Sequence, residues 1–497
     1  MTIVHRVLHP HPITSFDEYL VRRGGRGWEA VAALTPDEII DELLASGLRG
    51  RGGAGFPTGV KWRTVADNRS ATEATSVVVN AAEGEPGTYK DRTILQINPY
   101  QVIEGALIAA RAVGADEIIF GLKAAFADEG ERVDAAVAEI EAAGWTDGIS
   151  IVVFEGPDHY LYGEETGMLE AIDGRPPFPR IAPPFRRGVH EVVETDDDLN
   201  TGSGLSAHVE MAGAGGDSDA PPTLVDNVET LANVAHIFAR GAEWFRTEGT
   251  EQSPGTIVVT VSGAVEHTAV GEVMMGTTLR AAIDAIGGGV RPGHAIKAVM
   301  SGTSNALIPA SALDTPLTYE DMAAIGAGLG SGGYIVYADE DDLSAVAAGV
   351  SRFLAVESCG QCVPCKQDGL VIADLLRKVC HSVATEREVD EIRSRLGTIA
   401  DGARCYLATQ HQVMVESVFE LFPEEISVHL PASPGARPQK DAVPAVLISE
   451  MVGIADGVAV YDERHRDKQP DWTFDEEWSG QMPAERLDDH RDHRVTE

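Results

Sequence analysis

The sequence predicts three successive units: an α/β domain, a small β-grasp-type domain, and a helical bundle built around a metal centre. Three observations carry this prediction. Apolar strand-like runs alternate with amphipathic helical patterns from about residue 31 to 250; short strands then surround one helix over 251–341; and helical patterns flank a cluster of cysteines over 342–430. Such alternation is the signature of a sheet covered by helices. Residues 1–30 read as an amino-terminal extension and 431–497 as a charged tail. With 497 residues, 43% of them hydrophobic, the chain is long enough for several cores.

The elements follow in order. Thr35 to Ser46 (TPDEIIDELLAS) reads as a helix with Thr35 as N-cap, Pro36 at its first position, Glu38 closing a capping box and Gly47 stopping it. A buried strand is expected at Ser76–Asn80, a helix at Val102–Val113, a strand at Glu117–Phe120, a helix at Ala124–Ala143 and a strand at Ser150–Phe154. Between Arg187 and about residue 220 the chain is dominated by Asp, Glu, Gly and Ser, which reads as an acidic surface insertion. In the second unit strands are expected at Thr256–Ser262 and Gly333–Tyr337 around a helix at Leu279–Ile286. The tail is rich in Pro, Asp, Glu and Arg, and its last 25 residues are expected to be disordered or pinned by a partner.

Charge excludes some functions. A formal net charge of −39, from 78 acidic and 39 basic residues, repels a polyphosphate backbone, so no nucleic-acid partner is expected. No apolar run approaches the roughly 20 residues that cross a bilayer, and the first residues lack a secretory signal, so a cytoplasmic protein without direct membrane insertion is expected.

All five cysteines lie between Cys359 and Cys405, unlike the spread of a disulfide-stapled chain. Cys359-Gly-Gln-Cys362-Val-Pro-Cys365 puts three thiols in one turn, and Cys405 adds a fourth after a helical excursion. Four thiolates suit an iron–sulfur cluster. A structural zinc site, recruiting His381 or His411, is the alternative that the same ligand types allow. Cys380, within the apolar pattern LVIADLLRKVC, reads as a buried structural thiol.

Gly47 to Trp62 (GLRGRGGAGFPTGVKW) is a glycine-rich loop with Arg49, Arg51 and Lys61, suited to bringing backbone N–H groups and cations against a phosphorylated ligand. Gly50, Gly52 and Gly55 satisfy G-x-G-x-x-G, yet a helix precedes them where the dinucleotide fingerprint needs a strand. An ordinary structural loop is the alternative. NAAEGEPGTYKDR (Asn80 to Arg92) and YLYGEET (Tyr160 to Thr166) both follow predicted strands, where α/β folds gather ligands, although loop carboxylates are more often merely solvated.

Taken together, the glycine loop, NAAEGEPGTYKDR, YGEET, the PPTLVDNVETLANV stretch at Pro221–Val234 and ESCGQCVPC with Cys405 closely resemble the NADH-binding flavoprotein subunit of respiratory complex I and its relatives in soluble NAD-linked hydrogenases and formate dehydrogenases. The likeness covers about residues 15–430. It implies an α/β flavin domain modified from the Rossmann pattern, a ubiquitin-like domain and a helical bundle with a [4Fe–4S] cluster on Cys359, Cys362, Cys365 and Cys405. It further implies FMN against Gly50, Arg51, Gly52, Gly53, Lys61, Asn80, Tyr160, Gly163, Glu164, Asn227 and Thr230. NAD(H) is expected above the flavin, with Phe56 and Phe185 stacking on adenine and Glu83, Glu85 and Glu165 lining the cavity. Hydride transfer to a flavin needs no acid–base side chain, so no catalytic residue is assigned.

Departures from the family pattern are Ala82 and Gly84, which replace a carboxylate and a hydroxyl, together with Thr64 and Ala182 in place of an aromatic and a lysine. The resemblance implies iron–sulfur partner subunits, and the preferred assembly is a soluble NAD-dependent formate dehydrogenase with a molybdenum- or tungsten-containing subunit. Complex I and an NAD-linked hydrogenase are the alternatives. Two non-redox readings also stand: a zinc-stabilised assembly scaffold, and a transporter-coupling module whose β-grasp domain binds a small ligand.

Overall fold

The computed structural model describes residues 3–70, 73–189, 221–431 and 443–486, so the acidic insertion from residue 190 and the last residues of the tail lie outside the described residues. Four strands, β1 (Thr75–Asn80), β2 (Ala115–Lys123), β3 (Ser150–Gly156) and β4 (Thr223–Asn227), form a parallel sheet of order β3-β2-β1-β4. The β-branched run of β1 suits a strand covered on both faces. It lies at the centre, with Val78 beside Ile119 of β2 and Val225 of β4. Because β2 and β3 are laid down on one side of β1 and β4 on the other, the strand order reverses between β1 and β4, where open α/β sheets gather ligands beyond the carboxyl ends.

The helix Pro36–Ser46 has its Thr35–Glu38 capping box, and Gly47 ends it with φ 71°. Two further helices fall within motifs that read as loops: Thr58–Asp67 completes the glycine loop, and Lys90–Ile97 grows from the acidic motif. The following helix begins at Pro99 rather than Val102, because Pro serves as a first helical residue and needs no N–H acceptor. All of its residues to Val113 except Arg111 are buried, packed on the helices Arg26–Val31 and Val228–Arg240. An amphipathicity argument cannot find the start of a helix that is buried on nearly all sides.

The second unit is a five-stranded mixed sheet, order β6-β5-β9-β7-β8, from β5 (Thr256–Gly263), β6 (Ala269–Met274), β7 (Ile296–Ser301), β8 (Ile308–Pro309) and β9 (Gly333–Ala338). The helix Leu279–Gly287 buries Leu279, Ala282, Ile283 and Ile286 on it. The third unit packs the helices Leu343–Glu357, Gly369–Cys380, Glu386–Leu396 and Leu407–Leu421 around one apolar core. Cys380 is fully buried in that core.

Of the last 25 residues, those described, 473–486, are pinned by the chain's own body rather than by a partner, with Pro483 and Arg486 buried. Residues 443–486 lie against the chain's own body, with a hairpin of β10 (Met451–Ala455) and β11 (Val458–Tyr461) and with Trp472 buried beside the helical core. Its high charge conceals spaced anchors such as Ile448, Met451 and Trp472. Among the described residues no helix is long and apolar enough to cross a membrane.

Candidate functional site

At the reversal point, β1 ends in Asn80 and β4 in Asn227, paired in register. Asn80 Nδ2 donates to the Gly163 carbonyl at 2.8 Å, tying the loop after β1 to the one after β3. Asn227 caps the helix Val228–Arg240, its Oδ1 accepting from Glu229 N at 3.0 Å, and donates through Nδ2 to Asp91 at 2.7 Å. The glycine loop folds over these ends, and a Cβ on Gly52 would sit 3.2 Å from that of Asn227. Thr230 Oγ1 accepts from Arg51 N at 2.9 Å. A Cβ on Gly53, at φ 124°, would meet only the backbone of Gly330 and Ser331, at 3.9 Å. Such a cradle, backbone closing on two strand ends, suits a phosphorylated ligand approached by N–H groups.

The second sheet's domain holds the loop in place. Tyr319 Oη donates to the Gly50 carbonyl at 2.7 Å, its ring lies 3.9 Å under the Arg49 guanidinium, and it fills the space a side chain at Gly55 would need. No local feature of the sequence links Tyr319 to this loop. Arg51 is in the loop but does not offer its guanidinium to a ligand: it donates to the carbonyls of Arg49, Pro254 and Thr256 and is buried. The reason is that a cation in a low-dielectric junction must be satisfied internally.

Lys61 Nζ donates to Glu165 at 2.9 Å and to the Val225 carbonyl at 2.6 Å. Burial works against its charge, but Glu165 and Asp226 outweigh it and hold its pKa above the ordinary lysine value. Asp226, bonded to Trp62 Nε1 at 2.6 Å, is pushed up to about 6 by burial, partly offset by Lys61. A second buried charge cluster joins Lys90 to Asp91 at 2.7 Å and Glu229 at 2.9 Å. Lys90, Asp91 and Glu229 do not stand out as ligands in the sequence, although buried charges at the starts of helices are expected to pair.

The carboxylates divide. Glu83 accepts from the backbone N–H groups of Lys90, Asp91 and Arg92 and from Arg92 Nε at 3.1 Å, so it anchors the start of the helix Lys90–Ile97 and is buried. Glu85 is held by Tyr160 Oη at 2.5 Å and by Thr303 and Ser304 of the second domain. Burial raises its pKa against those bonds. Glu164 caps the helix Glu165–Ile172 through Thr166 N and Gly167 N, and burial raises its pKa too. Phe56 is 53% exposed and Phe185 half-buried.

Gly84 is not merely a lost hydroxyl. A Cβ there would come within 2.6 Å of Lys123 Nζ, which pairs with Glu450 of the tail at 2.5 Å. Ala82 is buried, with its N–H 3.3 Å from Asn80 Oδ1.

The four cysteines Cys359, Cys362, Cys365 and Cys405 line one small cavity with Leu161 and Ser358. Ser358 Oγ lies 3.3 Å from Cys365 Sγ and Gln361 Nε2 donates toward Cys359 Sγ at 3.5 Å. Burial pushes the Cys365 thiol up to about 11 and Cys405 up to about 12, as expected of thiols in apolar surroundings. Among the described residues no three His, Cys, Asp or Glu side chains converge as on a single ion. The cavity draws in no histidine: His411 is buried elsewhere, bonded to Ser351 Oγ at 2.7 Å, and His381 is exposed at the end of the helix Gly369–Cys380. The zinc reading therefore loses its proposed imidazole. Four sulfurs around one cavity, with Ser358 and Gln361 within hydrogen-bond reach of two of them, fit a [4Fe–4S] cluster.

One residue links the two sites. Glu357 ends the helix that leads into the cysteine turn and accepts from Tyr160 N at 3.2 Å, while the Tyr160 ring packs edge-on against Phe353 of that helix, 5.2 Å away.

The Nuo51 FMN-binding domain family matches residues 43–236, and the NADH-ubiquinone oxidoreductase-F iron-sulfur binding region family matches residues 345–429. The F 2 subunit of NADH-quinone oxidoreductase from Rhizobium meliloti is 33% identical over 412 residues, 81% of this chain and 91% of that protein. The HndC subunit of the NADP-reducing hydrogenase from Solidesulfovibrio fructosivorans is 32% identical over 84% of this chain and 81% of its own length. A solved NAD+-reducing [NiFe]-hydrogenase chain superposes with a TM-score of 0.72 at 30% identity, over 85% of this chain and 68% of that one. The chain belongs to the family of NADH-oxidising flavoprotein subunits found in NADH-quinone oxidoreductase, and its cofactors are FMN, a [4Fe–4S] cluster and NAD(H).

Proposed function

We propose that the chain is the NAD(H)-reacting subunit of a soluble NAD-dependent formate dehydrogenase, exchanging electrons with iron–sulfur subunits and, through them, with a molybdenum- or tungsten-containing subunit. FMN supplies the exchange between two-electron and one-electron chemistry, and the cluster carries single electrons. The chain's own residues bind and orient. Lys61, kept cationic by Glu165, faces an anionic ligand group; Asn80, Gly163, Asn227 and Thr230 shape the cradle at the strand ends; Glu85 and Tyr160 form its inner wall. Phe56, with its exposed ring, is the stacking surface for adenine, with Phe185 as its counterpart.

The observation that carries the choice of assembly is the Gly84–Lys123–Glu450 contact, in which an altered flavin loop and a tail beyond the family-matched regions fit one another. The contact supports a flavin loop and tail that depart together from the family pattern, the ground on which a soluble assembly is preferred. The hydrogenase assembly is the second reading, favoured by the structural likeness. Affinity purification of the tagged chain distinguishes them. Recovery of a molybdenum- or tungsten-binding subunit with formate-dependent NAD+ reduction supports the proposal. Recovery with a nickel–iron subunit or with membrane quinone-reductase subunits overturns it.

A further inference from the structure

Neither family match extends past residue 429, yet the segment 443–486 touches the cluster turn directly. Ala484 N donates to the Cys359 carbonyl at 2.9 Å, and Met482 lies where a Cβ on Gly360, at φ 87°, would sit 2.7 Å from its own Cβ. Behind the turn, Lys468 Nζ donates to Glu357 Oε1 at 2.7 Å and His465 Nε2 meets the same oxygen at 3.1 Å, all three buried. Trp472 Nε1 donates to the Val356 carbonyl at 2.9 Å, and its ring stacks on His159 at 4.3 Å. On the other side of the same turn, Lys366 Nζ, also buried, donates to the carbonyls of Ala355, Val356 and Ser358.

We propose that the carboxyl-terminal segment is a working part of the electron-transfer site, with Lys468 and Ala484 as positioning residues that set the potential and the shelter of the [4Fe–4S] cluster. Glu357 stands two residues before Cys359 and holds Tyr160 of the flavin crevice, so it lies between the two redox sites. Lys468 neutralises it there. Without that ammonium the buried carboxylate keeps only its contacts with His465 and the Tyr160 N–H, so more of its negative charge is felt beside the cluster and the added electron is disfavoured, which moves the cluster potential downward. Ala484 and Met482 close the Cys359 side of the turn against solvent, so loss of their contact exposes the cluster to oxidants.

The inference rests on the cluster assignment, and the test separates the two. In a potentiometric titration of the full-length chain followed by electron paramagnetic resonance, Lys468→Met should lower the cluster midpoint while leaving that of the flavin in place, and Lys468→Arg should restore it. Ala484→Pro, which removes one N–H and no charge, should shorten the life of the cluster in air several-fold with the anaerobic iron content unchanged. An unshifted midpoint in Lys468→Met or a wild-type air lifetime in Ala484→Pro overturns the corresponding half of the inference. A wild-type chain without iron overturns the cluster assignment and the inference together.

Discussion

The flavin crevice and the cluster turn solve the same problem, holding a redox group in a fixed place, with opposite materials. At the cluster turn four side chains of one type, close in sequence except for Cys405, line a single cavity. In the crevice the conspicuous side chains are largely spent on one another: Arg51 on carbonyls, Glu83 on a helix start, Lys90 on Asp91 and Glu229. What faces the crevice is backbone together with Asn80, Asn227 and Lys61, each fixed in place by its own hydrogen bonds to the protein. A site built from covalent ligands depends on a few residues. One built from loop geometry depends on the buried ion pairs that hold the loops.

The largest effect that would sharpen this contrast is expected from Cys405→Ser. It should abolish the cluster and leave FMN bound, because the thiols and the crevice belong to different domains. Iron analysis beside flavin fluorescence checks it, and full iron content would remove Cys405 from the ligand set.

Glu83→Ala should act on the fold rather than on a ligand. It leaves Arg92 buried without its carboxylate and three helix-start N–H groups without an acceptor, and breaking a buried pair in this way costs roughly 3–5 kcal/mol. Denaturant unfolding should show that loss. A stable Glu83→Ala chain with weakened NADH binding would instead make Glu83 a ligand.

For Lys61→Ala the expected change is in affinity: a lost charge-assisted hydrogen bond is worth roughly 1.5–3 kcal/mol, or about one to two decades. Flavin retention during ultrafiltration measures it. Unchanged retention would break the assignment of the glycine loop.

The effect that is smallest at neutral pH is a pH slope in the helical domain. Burial lowers His411 from 6.5 to about 3, and among the described residues its Nδ1 has no hydrogen-bond partner. Between those values the unfolded chain takes up a proton that the folded chain refuses. Its contribution to stability is therefore complete above 6.5 and is lost as pH falls toward 3, at up to about 1.4 kcal/mol per unit. Thermal unfolding of His411→Gln should show a shallower acid slope than wild type.

The same contrast explains what could be read without coordinates. Thr35, Pro36, Glu38 and Gly47 announce their helix because capping is local, and the cysteine spacing announces a four-thiol site because ligand chemistry is local. The seating of the helix Lys90–Ile97 on Thr260 and Glu229, and the use of Tyr319 to hold the glycine loop, are set by partners far away in the chain, so no window of sequence contains them. The packing of the tail is hidden from the sequence for a related reason. Its average composition is polar, while its packing depends on a few spaced residues such as Met451, Lys468 and Trp472.

On this proposal the crevice and the cluster form one electron path within the chain, joined at Tyr160 and Glu357. Anaerobic addition of NADH to the isolated chain, followed by visible absorption and electron paramagnetic resonance, tests it most directly. The expected result is bleaching of the flavin bands together with the signal of a reduced cluster, on a chain carrying four iron atoms. A flavin that bleaches while an intact, chemically reducible cluster stays oxidised would contradict it.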